Sequence, residues 1–162
     1  MISTTMSGDA LLFEEKGNLM ATELAKPVRI YRNLKGKSEQ LFDAWLDPKK
    51  IAKWITVPAG DKSVKVSTKA FPGTQFSFVN LRDGNAINHI GEYIEIRRPH
   101  RLVFTWGVEG FPMGASRVAI DFEPNGDHTL LTLTHRGVDP EYLERTQGAW
   151  EKIIGAVEAS IA

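Results

Sequence analysis

The sequence predicts an α+β domain in which a curved antiparallel sheet wraps around one long C-terminal helix, with two short helices following the first strand. Three observations carry this. Two tryptophan-bearing helical segments stand near the front, Leu41 to Trp45 and Pro48 to Trp54. Alternating apolar and polar residues fill the middle as far as His135, and one amphipathic stretch closes the chain after Gly148-Ala-Trp150. Strands with apolar inner faces closed by a helix leave a concave, mostly apolar space between them, which is the usual setting of a small-ligand site.

Taken in order, residues 1–23 mix Ser, Thr, Gly and acidic residues with a brief Leu11-Leu-Phe13 patch, and read as a partly flexible N-terminal extension. The folded domain is expected over residues 24–162. Val28 and Ile30 alternate with Arg29 and Tyr31 as in a half-buried first strand. Ser38 stands as an N-cap before a helix that carries Leu41, Phe42 and Trp45 at helical spacing. Asp47-Pro48 starts a second short helix, since Asp caps and Pro suits the first turn, and Ile51 with Trp54 forms its buried side.

After a turn at Pro58 to Asp61, Val64, Val66 and Thr68 alternate with Lys65, Ser67 and Lys69. Pro72-Gly73 then leads into Phe76 and Phe78, so this segment is expected to be a hairpin with one apolar face. Asp83-Gly84-Asn85 turns into a long strand from Ala86 to Ile96. Its parity sets His89, Gly91 and Tyr93 on one side and Ile90, Ile94 and Ile96 on the other, unless a bulge lets both contribute. Pro99-His100 breaks it, and Leu102, Phe104 and Trp106 alternate beyond. Gly107 to Gly114 reads as a mobile loop, with Phe111 and Met113 placed to lid a cavity. Val118, Ile120 and Phe122 and then Leu131, Leu133 and His135 form two strands about the Pro124 to Asp127 turn. Asp139-Pro140 starts the last helix, whose Leu143, Trp150, Ile153, Ile154, Val157 and Ile161 fall on one stripe.

Composition narrows the functional classes. The 162 residues amount to one domain. Lys plus Arg and Asp plus Glu each number 20, so no broad field draws nucleic acid or an anionic membrane surface. The absence of cysteine removes disulfides, thiolate metal sites and a thiol nucleophile, and suits a reducing compartment. The front of the chain has no long apolar run, which speaks against a signal peptide or a membrane span and for a cytoplasmic protein.

The remaining candidates for chemistry are few. His89, His100, His128 and His135 show no metal-ligand spacing, so no metal is expected. Ser67, Ser77 and Ser116 lack a GxSxG context. Asp121 and Glu123 alternate with Ile120 and Phe122 and so face water. The glycines between Gly107 and Gly114 follow no strand-then-helix phosphate pattern. No catalytic residue and no cofactor is expected.

The stretches Phe42 to Pro48 with Lys53-Trp54, Gly91 to Trp106, Thr129 to His135 and Gly148 to Trp150 together resemble the family named after the activator of Hsp90 ATPase, within the START-like (SRPBCC) superfamily. The resemblance runs from about Leu24 to Ala162, and looks closest to the small single-domain bacterial members. It implies the helix-grip fold, with a cavity between the closing helix and the sheet. On that basis the expected function is non-enzymatic binding of a small hydrophobic or aromatic molecule. Trp54, Phe76, Phe78, Phe104, Phe122 and Trp150 would supply apolar contact, Tyr93 and His135 polar orientation, and Phe111 and Met113 a lid, with His89 and Trp106 as further members of the ligand-binding set. Large side chains also fill space, so by themselves most of these aromatics read as plain core ahead of cavity lining. The family's name motivates a protein-interaction or co-chaperone-like module as the alternative, with a protein as partner. A cyclase or hydrolase that uses the cavity ranks behind both. Neither nucleic acid nor membrane is an expected partner, and the chain is read as a monomer or a homodimer.

Overall fold

Eight strands and three helices form among residues 26–111 and 116–162, the part of the chain that the computed structural model describes. The expected extension over residues 1–23 and the lid residue Met113 lie outside it. In chain order the elements are β1 (Val28–Lys35), α1 (Ser38–Ala44), α2 (Pro48–Trp54), β2 (Lys62–Ser67), β3 (Gln75–Arg82), β4 (Asn85–Arg97), β5 (Arg101–Thr105), β6 (Gly107–Val108), β7 (Arg117–Asn125), β8 (His128–Arg136) and α3 (Leu143–Ser160). All pairings are antiparallel, in the order β1-β8-β7-β5-β4-β3-β2, with β6 beside β4. The fold is the expected α+β helix grip.

Alternation decides which face meets the helices. Val28, Ile30 and Leu34 of β1, Val118, Ile120 and Phe122 of β7, and Leu131, Leu133 and His135 of β8 are all buried. The stripe on α3 buries Trp150, Ile153, Ile154 and Val157 against that face. The helix packs along β1 and against α1 and α2. At about 1.5–3 kcal/mol per fully buried large apolar side chain, this stripe outweighs the intrinsic preferences of the helix. Phe42 of α1 reaches across to Phe122, with ring centroids 5.2 Å apart.

Local chemistry departs from expectation at several points. Ser38 is not the N-cap of α1: Lys37 holds that place, and the Ser38 hydroxyl shares a 3.1 Å hydrogen bond with Thr129 Oγ1 in the interior. Thr129 Oγ1 in turn donates to the Gly36 carbonyl, so a polar bond across the core replaces a cap. Asp47 does cap α2, accepting from the Lys49 N–H, with Pro48 at the first turn. Asp139 caps a short 3₁₀ turn, Pro140–Tyr142, which precedes α3. A register shift between Ser63 and Lys65 turns Val64 outwards to 56% exposure, so the β2–β3 hairpin lacks the uniform apolar face its alternation suggests. A second shift, between Tyr93 and Glu95, places Ile94 outside and lets both Tyr93 and Ile96 pack inwards. Part of the expected loop after Trp106 is strand β6, which pairs Val108 with His89.

Gly91 sits opposite Phe76 on β3. A Cβ built on it would lie 2.0 Å from the Thr105 carbonyl oxygen and 2.3 Å from the Phe76 ring. Backbone and aromatic ring therefore use the space that a side chain would need. Gly91→Ala is expected to lower unfolding free energy by about 2 kcal/mol or more, read from urea denaturation. A loss of under roughly 0.5 kcal/mol would show that the strands part without cost there.

Candidate functional site

Where α3 leaves the sheet, a cavity of about 500 Å³ opens. One wall is the first half of α3, from Glu144 to Ile153. The other is the inner face of β3, β4 and β6, through Arg82, His89, Trp106 and Val108, and the segment after α2 closes one side with Ile55, Pro58 and Ala59. The space follows from a step in side-chain size along the helix. Trp150 and Ile153 bridge to the sheet, but Gly148 and Ala149 fall short of it, and a Cβ added at Gly148 would meet nothing within 4 Å. The lining is mainly apolar.

Two polar groups stand in that apolar wall. The imidazole of His89 stacks on Trp106, with centroids 5.4 Å apart and planes at 18°. Both its nitrogens are buried and have no hydrogen-bond partner among the described residues. Burial, reinforced by the nearby Arg82 charge, brings its pKa down to about 4, so the ring is neutral near pH 7. Arg82 is held by Asp61 in a two-pronged ion pair, Nε to Oδ1 and Nη2 to Oδ2, each 2.8 Å. Hydrogen bonding to Arg82 keeps the Asp61 carboxyl below the usual carboxylate value against the opposing effect of burial.

His135 lies deeper and is fully engaged. The Trp150 indole N–H donates to its Nδ1 at 3.0 Å, so Nε2 carries the proton and donates to Ser116 Oγ. Burial lowers its pKa to about 4. Tyr93 is likewise enclosed, its hydroxyl bonded to Thr68 Oγ1 at 2.7 Å, and burial raises its pKa. Neither side chain borders the cavity, which corrects the expectation that they orient a ligand there.

Of the anticipated contact residues, the structure gathers His89, Trp106 and Trp150 at the cavity. Trp54, Phe76, Phe78, Tyr93 and Phe104 instead join Trp45 and Trp106 around a void of about 10 Å³, room for about one water at most. Phe76 and Phe78 stack at 4.7 Å, and Trp54 meets Phe78 edge-on. These rings fill the concavity instead of lining it, because close contact between them recovers more dispersion energy than an open space. Phe122 packs under α1 against Phe42. Phe111 is 68% exposed and does not border this cavity, so it is no lid over it in this structure.

Arg82 escaped the sequence reading, although parity carried a signal: it shares a face with Phe76, Phe78 and Asn80, all buried. The helix residues Gly148 and Ala149 escaped as well, since a small residue announces no contact. Among the described residues no group of three or more His, Asp or Glu side chains could hold a metal ion, and no helix is long and apolar enough to cross a membrane.

Comparison with known proteins places this geometry among others. A family described as activator of Hsp90 ATPase homolog 1-like protein matches residues 35–161. A crystal structure of a Chromobacterium violaceum protein is similar at 23% identity, covering 83% of this chain and 96% of that one, with a TM-score of 0.74. A solution structure of an AHSA1-like protein from Aeromonas hydrophila is 18% identical over 83% of this chain and 93% of its own, with a TM-score of 0.69. A third, from Arthrobacter aurescens, is 17% identical over 85% and 86%, with a TM-score of 0.72. At such identities these likenesses show the fold alone. The chain matches none of the curated proteins.

The two neutral imidazoles have a consequence for stability. Their folded pKa values, about 4, lie below the ordinary 6.5. The unfolded chain therefore takes up protons that the fold refuses as pH falls from about 6.5 to 4, and stability present above that window is lost through it. The loss is on the order of 3 kcal/mol per imidazole at full extent. Chemical denaturation from pH 7.5 to 4 should show this slope, and His89→Leu should remove roughly half of it. An unchanged slope in the variant would mean that His89 titrates normally.

Proposed function

The chain belongs to the family described as activator of Hsp90 ATPase homolog 1-like protein, and from that membership and the cavity we propose that it binds a small apolar or aromatic molecule between α3 and the sheet without transforming it. The observation that carries this reading is the mainly apolar space of about 500 Å³ at the helix–sheet junction. Its volume falls within the range of about 300–1,000 Å³ usual for small-ligand sites. The aromatic cluster beside it is tightly packed and leaves only about 10 Å³. A core that closes so completely on one side of Trp106 and stays open on the other is consistent with a space kept for an occupant. Proton chemistry finds little support, since His135 is committed to Trp150 and Ser116, and His89 is held neutral in an apolar setting.

Gly148 supplies the discriminating variant. A Cβ at Gly148 meets nothing within 4 Å, so Gly148→Leu is expected to project its side chain into the cavity, and it replaces the poorest helix former short of proline. The variant should melt at the same temperature as the wild type or higher. In a thermal-shift screen of neutral aromatic and aliphatic compounds, ligands near 100 times their Kd should raise the wild-type melting temperature by several degrees, from about 2.7 kcal/mol of linkage. The variant should lose that response. If no compound shifts the wild type, the reading fails.

A further inference from the structure

Arg82 is the unexpected residue on the concave face. Strand parity aligns it with Phe76, Phe78 and Asn80, and on the paired strand His89 faces the same way, opposite Phe78. Asp61, with its side chain only 2% exposed, fixes the guanidinium through Nε and Nη2 and leaves Nη1 outside the pair. A two-pronged pair of this kind holds the whole planar group in one orientation. Close by are the two unpartnered nitrogens of His89, a condition that native interiors rarely leave uncorrected.

The charges facing the cavity are unbalanced. Of the charged residues that line it, Arg82, Arg145 and Lys152 are cations and Glu144 is a carboxylate, while Asp61 and Asp83 act on Arg82 from outside the lining. We propose that the ligand is an amphipathic anion, an apolar or aromatic body ending in a carboxylate or similar oxyanion, which accepts hydrogen bonds from Arg82 Nη1 and the His89 imidazole. This inference rests on the ligand-binding reading above and specifies the polar end of the molecule. Trp106, Val108 and Ile153 meet the apolar body. The His89 nitrogens are shielded from water, so the proposed bond requires the ring to turn about its soft ring torsion. An anion beside His89 favours the protonated ring, so binding takes up a proton and tightens as pH falls towards about 4, the pKa of the ring in the free protein.

The test uses three probes on one ring system: 2-naphthoate, 2-naphthol and 2-methylnaphthalene, titrated calorimetrically into the full chain. The expected result is that naphthoate binds at least about tenfold more tightly than the methyl compound, as a charge-assisted hydrogen bond implies. Its affinity should rise at lower pH while that of the methyl compound stays flat. Arg82 alone cannot be removed cleanly, because Asp61 would be left buried without its partner. The double variant Asp61→Asn with Arg82→Gln, and separately His89→Leu, should each cut the naphthoate preference severalfold, read as the ratio of its affinity to that of the methyl compound in the same variant. Equal binding of the three probes, tighter binding of naphthol, or a naphthoate preference that survives both variants overturns the anion while leaving the cavity reading intact. If no probe binds and the neutral screen also fails, the cavity reading itself has failed.

Discussion

The indole of Trp150 donates to His135 Nδ1 at 3.0 Å while its ring packs 5.3 Å from Trp106 and 6.3 Å from Trp45. This joint ties the closing helix to the end of β8 and to the aromatic cluster at once, and the rest of the concave side depends on it. A buried indole N–H needs an acceptor, and a buried imidazole nitrogen needs a donor. Each supplies what the other lacks, and Ser116 completes the chain of bonds at Nε2. The helix axis is thereby set at a height above the sheet that its smaller residues cannot span.

That height explains why one side of the interior closes and the other does not. From Trp150 towards the C-terminus, Ile154 and Val157 are buried as the helix packs on β1, α1 and α2. Before Trp150, Gly148 and Ala149 face β3, β4 and β6 across the cavity. On the sheet, the same contrast separates Phe76 and Phe78, packed under Trp54, from Arg82 and His89 further along the hairpin. The cavity is the region where small residues on the helix meet polar residues on the sheet, and neither element can bury the other.

Much of the fold was legible in the chain because it depends on short-range pattern. Period-two alternation placed the strands, the Val28, Ile120 and Leu133 faces were correctly read as buried, and Asp47-Pro48 marked a helix start that the structure keeps. Reading failed where a residue's role depends on a distant partner. Ser38 looked like a cap but bonds Thr129, 91 positions away. Val64 looked inward-facing until a bulge turned it out. In the candidate site, His89, Trp106 and Trp150 were recognised as residues suited to a ligand, whereas Arg82 was not singled out.

The sequence by itself determined the α+β class, the order of elements and the apolar faces, because each of these is written in the spacing of side chains along one segment. Only the tertiary structure decided which aromatics are packed core and which border open space. The physical reason is that filling is a property of two facing surfaces. Phe76 closes a gap because Tyr93, Phe104 and Trp106 stand around it, and Trp106 borders a cavity because the helix residues opposite it, Gly148 and Ala149, are small.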